Sequence, residues 1–369
     1  MARPRRLVLG GLLLLGAVLL VALARIGWEW KQALDNVDAM IVTPIALPTA
    51  SAGQDEPGDR PRLETPGTDS GSAHASQPTP VPTAVPEPDG PMNILLMGTD
   101  ARPGEDISRT DAMILIHIDP RSGRVGMLSF PRDLWVTIPG HGKARINTAY
   151  TIGEQKIGPG YGPALAKATV SRLTGLPIQH FVLINFEGFR AVIDKIGGIY
   201  VDVPRPIDDP AYPTDDYGTI AVHFDAGRQL MDGERALIYA RTRHADSDFG
   251  RNQRQQQVLM AIFDRVREQN LLAQLTNLDD YTGALRDYVR TDLSRSEMLS
   301  LASLGARLNA DDIRRYAIEP KMVVAQQNPY ILLLKDPQSI KRLVNQMIGD
   351  SLAAAGGEAS APDRSGRND

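Results

Sequence analysis

From Leu7 to Ala24 the chain runs 18 residues without a charge, and this run constrains the molecule more than any other feature. As a helix rising about 1.5 Å per residue it reaches roughly 27 Å, close to the hydrocarbon thickness of a bilayer. Arg3, Arg5 and Arg6 precede it and Arg25 closes it, which keeps the N-terminus in the cytoplasm and sends everything after the run outside. Trp28 and Trp30 fall where an interfacial aromatic belt would sit. Ala22-Leu23-Ala24 also resembles the cleavage site of a signal peptide, and both readings export the rest of the chain. The length of the run and the tryptophans favour a retained anchor over residues 1–30.

From Thr43 to Pro91 the sequence is rich in Pro, Ser, Thr, Gly and Ala and almost free of large apolar residues. It cannot bury enough surface to offset chain entropy, so residues 31–91 are expected to be a juxtamembrane segment and a loose spacer. Residues 350–369 read as a loose tail. The folded part then runs from Met92 to Gly349. Short apolar runs at 93–97, 112–118 and 124–130 predict strands, the second apolar on both faces and hence central. Further strands are expected at 181–185, 199–203 and 220–224, with another at 315–318. Helices are expected at 163–173, from Phe186 to Ile196, at 233–240, 251–267, 297–308 and 339–347. This alternation predicts an α/β fold, a three-layer α/β/α domain with a central mixed sheet, preceded by one transmembrane helix. The main domain is expected at 92–270, with a helical extension at 271–349 packed on it.

A net charge of -4 gives no general attraction to nucleic acid, and the absence of cysteine removes disulfides, thiolate metal sites and Cys nucleophiles together. The six histidines show no metal-ligand spacing. His117 reads as a structural residue of a central strand, His141 as part of a turn and His223 as part of an edge strand, while His244 lies beside an arginine pair.

Acidic residues carry more. Asp100 follows the first strand and Asp111 precedes the second, so neighbouring strands would bring both carboxylates to one sheet edge, where ligands of open α/β sheets bind. Two hard oxygen ligands suit Mg²⁺ (or Mn²⁺), although Asp is equally at home in turns and caps. Arg132 follows a strand end, Arg241 and Arg243 lie two apart, and Arg251 and Arg254 open the long helix. Cations at a helix N-terminus are unfavourable unless an anion joins them, and the guanidinium fork fits phosphate oxygens.

Eight ordered motifs now extend the reading: NILLMGTDAR at 93–102, RTDAMIL at 109–115, SFPRDLWVTIPG at 129–140, ARINTAY at 144–150, FVLINFEGF at 181–189, DKIGGIYVDVP at 194–204, ALIYARTR at 236–243 and DFGRNQRQQQV at 248–258. Together they make the chain resemble the LytR-CpsA-Psr family of cell-wall glycopolymer ligases. The resemblance implies an α/β domain that binds a polyprenyl-diphosphate-linked glycopolymer, with the lipid in an apolar pocket and arginines and Mg²⁺ on the diphosphate. Asp100 and Asp111 would be the metal-side carboxylates. Arg132, Arg241, Arg243 and Arg251 would grip phosphate, Arg254 and Gln257 would contact the head group, and Arg102 and Arg109 would assist. Asp133 and Asp248 are expected either as a general base or, more in keeping with their arginine neighbours, as groups that orient an arginine.

The reaction so implied is phosphotransfer to a peptidoglycan hydroxyl at the outer face of the membrane, as in teichoic acid or capsule attachment. A hydrolase of the same lipid diphosphate would need the same residues. A lipid-sensing regulator is the non-enzymatic alternative, but a DNA-binding one would need a basic helix inside the cell, where only a handful of residues lie.

Overall fold

The computed structural model describes residues 31–32, 35–47, 90–100, 109–214, 218–243, 247–269 and 285–358. The expected membrane span, most of the spacer, Arg102, His244 and residues 270–284 lie outside them. Among the described residues no helix is long and apolar enough to cross a membrane.

In chain order the strands are β1 (Met92–Thr99), β2 (Thr110–Asp119), β3 (Arg124–Ser129), β4 (Trp135–Ile138), β5 (Gly142–Arg145), β6 (His180–Asn185), β7 (Ile199–Val203), β8 (Ile207–Pro213), β9 (Thr219–Phe224), β10 (Gly227–Met231), β11 (Val289–Thr291), β12 (Ile313–Ala317), β13 (Val323–Gln326) and β14 (Ile331–Leu334). The α-helices are α1 (Thr148–Ile152), α2 (Tyr161–Thr174), α3 (Phe186–Lys195), α4 (Gly233–Arg241), α5 (Asp248–Glu268), α6 (Arg295–Arg307) and α7 (Ser339–Glu358).

Six strands form the central mixed sheet in the order β11-β6-β1-β2-β3-β12. β1 and β2 are antiparallel, β1 and β6 parallel, β2 and β3 antiparallel. This topology brings four chain segments to one end of the sheet: the exit of β1, the entry of β2, the exit of β3 and the exit of β6. One face buries Leu95, Met97, Leu115 and Leu128 under α2 and α7, whose Leu165, Val170, Ile340 and Val344 are buried with them. The other face buries Ile94, Ile118 and Val125 under Leu304 of α6 and the partly buried Phe263 of α5. Helices therefore cover both faces. A third cluster, built on Ile193, Val201, Phe224, Tyr239 and Val258, packs α3, α4 and α5 against the small β7–β10 sheet and the β8–β9 hairpin.

Local chemistry accounts for the helix ends. Asn185, Asp232 and Ser294 cap α3, α4 and α6 through their side chains. Gly197 and Gly198, both at positive φ, stop the chain after α3 as their sequence predicts. At Gly233 a β-carbon would meet the backbone of Arg190, so glycine lets α4 lie directly on α3. These two helices then form one wall of the site described below.

Three expectations need correction. The boundary expected near residue 270 is not a fold boundary, because β11 and β12 are the two edge strands of the central sheet and α7 covers one of its faces. A three-residue strand such as β11 carries no periodicity in sequence; its pairing with β6 holds it in place. The spacer also begins later than Thr43. Ile41 bridges to Thr291, Val42 N–H donates to Thr291 O at 2.8 Å, and Val42 and Leu47 pack on the main core. Lastly, α7 runs on to Glu358, into the expected tail.

A buried ionic cluster fastens β11 to the core. Asp292, its side chain only 1% exposed, pairs with Lys167 of α2 and accepts from Phe181 N–H at 2.7 Å. His180 lies between Asp292 (3.7 Å) and Glu297 (3.2 Å). Asp292 raises the His180 pKa against the effect of burial, and Glu297 adds to the rise. A raised histidine stabilises the fold fully below its unfolded value of about 6.5, and that contribution disappears as pH rises through the folded value. The urea midpoint is therefore expected to fall as pH rises above about 6.5, and His180→Gln should flatten that slope. An unchanged slope in the variant would remove His180 from the account.

Candidate active site

At the convergent end of the sheet lies a cavity of about 320 Å³. Gly98 and Asp100 of the β1 exit line it, with Asp111 and Ala112 of β2, Arg132 after β3, and Ile184 and Asn185 of β6. α3 adds Phe186 and Phe189, the β8 hairpin adds Asp209 and Pro213, and α4 with the turn after it adds Leu237, Ala240, Arg241 and Arg243. Arg251 and Gln255 of α5 complete the lining. The apolar lining gathers on the β6 side, where Arg241 also stacks on Phe186. Ile184, Phe186 and Phe189 stand on the β6 side, the two carboxylates in the middle, and Arg132 on the β3 side.

The charges are arranged around Arg132. Its Nη1 donates to Asp111 Oδ1 at 2.7 Å, and its Nε lies 3.6 Å from Asp133 and 3.8 Å from Asp248. Burial lowers its pKa, but Asp111, Asp248 and Asp133 outweigh burial and hold it above the ordinary arginine value. Arg251, 3% exposed, pairs with Asp248 at 2.6 Å and donates to the Asp111 carbonyl at 3.2 Å. Its pKa is lowered chiefly by burial, which together with the charges of Arg132 and Arg243 outweighs the help of Asp248 and Asp111. The Nε atoms of Arg132 and Arg251 are both buried without a hydrogen-bond acceptor among the described residues. Both guanidinium groups thus keep an idle buried donor although carboxylates stand beside them.

Arg241 is fixed by aromatic rings, 4.2 Å from the centre of Phe186 and 5.3 Å from that of Tyr212, whose hydroxyl accepts its Nη1 at 3.0 Å. Asp209, buried on β8, accepts from the Thr242 hydroxyl and from the Arg243 N–H at 3.3 Å. It thereby sets the turn that carries Arg241 and Arg243.

Of the residues singled out in the sequence, Asp100, Asp111, Arg132, Arg241, Arg243 and Arg251 line the cavity together. Asp133 and Asp248 stand behind Arg132, ion-paired to Arg145 and Arg251 respectively, and do not line it. Burial raises the Asp248 pKa even against Arg251 and Arg132. Arg109 is exposed and outside the lining. Arg254 and Gln257, expected at the head group, are not among the lining residues. Arg254 turns its guanidinium to backbone carbonyls, Tyr239 O at 3.0 Å and Thr242 O. Gln257 binds the Tyr239 hydroxyl at 2.7 Å and the Asp202 carbonyl. Both face the packed side of α5. Gln255 faces the cavity instead, as helical phase could have shown, since it lies only about 40° round the helix from Arg251. The oddity of arginines at the start of this helix is also resolved in part: α5 begins at Asp248, whose carboxylate already serves Arg251.

The carboxylates fit a hard divalent cation. Magnesium is commonly held by one or two carboxylates with phosphate oxygens and waters, and Asp100 and Asp111 supply that pair. Asp111 Oδ1 already accepts from Arg132, so a cation would share this carboxylate with the arginine. Among the described residues no three His, Cys, Asp or Glu gather to hold a metal. Phosphate oxygens of a bound substrate would therefore have to complete the shell.

Known proteins carry the same architecture. The chain resembles a polyisoprenyl-teichoic acid–peptidoglycan teichoic acid transferase TagU of Oceanobacillus iheyensis, at 38% identity over 222 residues, 59% of this chain and 64% of that protein. A protein of the same name from Bacillus mycoides is 32% identical over 214 residues, or 57% of this chain and 63% of that one. The alignments thus span somewhat less than two thirds of these relatives. Among solved structures, B. subtilis TagV superposes with a TM-score of 0.58 at 29% identity, covering 72% of this chain and 98% of that one. TagT bound to LI-WTA superposes at 0.54 and 26% identity, covering 71% and 91%. The LytR_cpsA_psr family matches residues 64–348, across the central sheet and the whole cavity, and the chain belongs to that family.

Proposed function

We propose that the protein is a phosphotransferase that moves a glycopolymer from a polyprenyl-diphosphate carrier to a hydroxyl of peptidoglycan, at the outer face of the membrane. The observation that carries this reading is the cavity itself. Four guanidinium groups and two rim carboxylates share one space with an apolar wall of Ile184, Phe186, Phe189 and Leu237. A diphosphate needs the first part and a lipid chain needs the second. The names of the TagU relatives give the same class of transfer.

In the transfer an acceptor oxygen bonds to the phosphorus that carries the glycopolymer. The bond from that phosphorus to the bridging oxygen breaks, and polyprenyl phosphate leaves with the electron pair. The hydroxyl proton departs to solvent, since a loose transition state needs little base assistance. Arg132, Arg241, Arg243 and Arg251 hold the phosphate oxygens in line and offset the charge that develops on them. Asp133 and Asp248 keep Arg132 and Arg251 in place. Mg²⁺ or Mn²⁺, held by Asp100 and Asp111, would polarise the phosphoryl oxygen and stabilise the leaving phosphate.

The test supplies a synthetic polyprenyl-diphosphate glycan and isolated glycan strands to the purified protein. The expected products are polyprenyl phosphate and a phosphodiester-linked glycan strand. Asp111→Ala and Arg243→Ala should each lower the rate by about a hundredfold or more with the urea midpoint little changed. Chelation should stop turnover, and Mg²⁺ or Mn²⁺ should restore it. Release of sugar phosphate to water with no linked product would identify a hydrolase instead, and full activity in both variants would end the proposal.

A further inference from the structure

In-line displacement puts the attacking oxygen opposite the leaving one. With the apolar wall on the β6 side of the cavity, the polyprenyl phosphate leaves toward β6 and the acceptor must approach from the β3 side, past Arg132. This direction rests on the phosphotransfer reading above. What stands on the β3 side is the β13–β14 hairpin. It is fastened directly to the segment that carries Arg132: Leu332 N–H donates to Asp133 O at 2.9 Å, and Leu134 and Leu332 form a parallel bridge. Tyr330 lies in the turn that leads into β14, two residues before Leu332 and so close to this fastening.

Tyr330 is 42% exposed. Its phenol pKa is raised by partial burial and then by Asp133 and Asp248, so the hydroxyl lies within electrostatic reach of the carboxylates that hold Arg132. Two other tyrosines are strongly exposed among the described residues, Tyr200 and Tyr288. Tyr200 is on β7, and Tyr288, whose carbonyl accepts from Asn185 N–H at 3.3 Å, directly precedes β11 and so stands on the β6 side of the cavity, away from Arg132.

We propose that Tyr330 is the platform on which a sugar ring of the acceptor glycan stacks, setting one of its hydroxyls over the phosphate held by Arg132. A pyranose has an apolar C–H face that suits an aromatic ring, and polar edges that suit the tyrosine hydroxyl and nearby carboxylates. The position explains an otherwise unfavourable exposure of a large aromatic beside a charged site. It also assigns work to the hairpin, which lies outside the cavity lining.

The test separates the acceptor from the donor. Tyr330→Ala is expected to raise the KM for glycan strands about tenfold, while the KM for the lipid donor and its slow hydrolysis without acceptor stay at the wild-type level. Tyr330→Trp should restore the acceptor KM and Tyr330→Phe should recover most of it. Binding of soluble glycan strands, followed by NMR shifts without any donor, should weaken by the same factor in Tyr330→Ala. That measurement holds even if the protein proves to be a hydrolase, so loss of transfer chemistry and loss of the subsite are distinguishable. Unchanged glycan binding and acceptor KM in Tyr330→Ala would overturn the proposal. An equal loss of donor binding would do so as well, because the residue would then act through Arg132.

Discussion

Arg132→Ala is expected to lower turnover by about a thousandfold or more while the protein stays folded. The size follows from position. Arg132 contacts a rim carboxylate, Asp111, and lies within 4 Å of two further carboxylates, Asp133 and Asp248. Those three hold its fork toward the cavity and keep it charged, so its field is available before substrate arrives and costs no reorganisation during the reaction. Removal takes a positive charge from the transition state and also frees Asp111 to repel the phosphate. Both effects act on the same anion and in the same direction. Arg132→Lys should recover only part of the loss, because an ammonium cannot serve Asp111 and a phosphate oxygen with one planar fork. The rate is measured with lipid donor and glycan acceptor both saturating, and stability by urea unfolding. A variant that keeps more than a tenth of wild-type turnover would show that the charge of Arg132 is not what drives the reaction.

The sequence made much of this site legible, and the reason is topological. Asp100, Asp111 and Arg132 sit at the ends of strands whose apolar runs are long enough to read, and antiparallel β1–β2–β3 pairing then brings those ends together. Arg241 and Arg243 depend on something less visible, the buried Asp209 on a hairpin whose first strand has no strong alternation. The start of α5 was hidden by Gly250, which reads as a loop residue but lies in the first helical turn under the Ser247 cap. The edge strands β11 and β12 were hidden because they owe their conformation to the sheet they join. In each case the missed part depends on a partner far away in the chain, while the legible part depends on neighbours.

The same contrast separates the two buried arginines of α5, and Arg254→Ala is expected to fail in a different way. Arg254 is 4% exposed and donates to Tyr239 O in the last turn of α4 and to Thr242 O just after the helix. Alanine would remove two hydrogen bonds from a charged donor and leave two carbonyls buried without them, a cost of about 3–5 kcal/mol in unfolding free energy. Gln257→Ala, which releases the Tyr239 hydroxyl and the exposed end of the Asp202 contact, should cost less, about 1–2 kcal/mol. In Arg254→Ala activity would fall as a consequence: the turn holding Arg241 and Arg243 loses one of its fastenings, so the donor KM should rise before the saturated rate changes. Arg251→Ala should show the opposite balance, with its largest effect on the saturated rate, because Arg251 lines the site that phosphate would fill. Urea unfolding of both variants, set beside donor saturation curves, decides between these roles. If Arg254→Ala proves as stable as the wild type, its carbonyl contacts contribute nothing and its original assignment to the diphosphate head group returns.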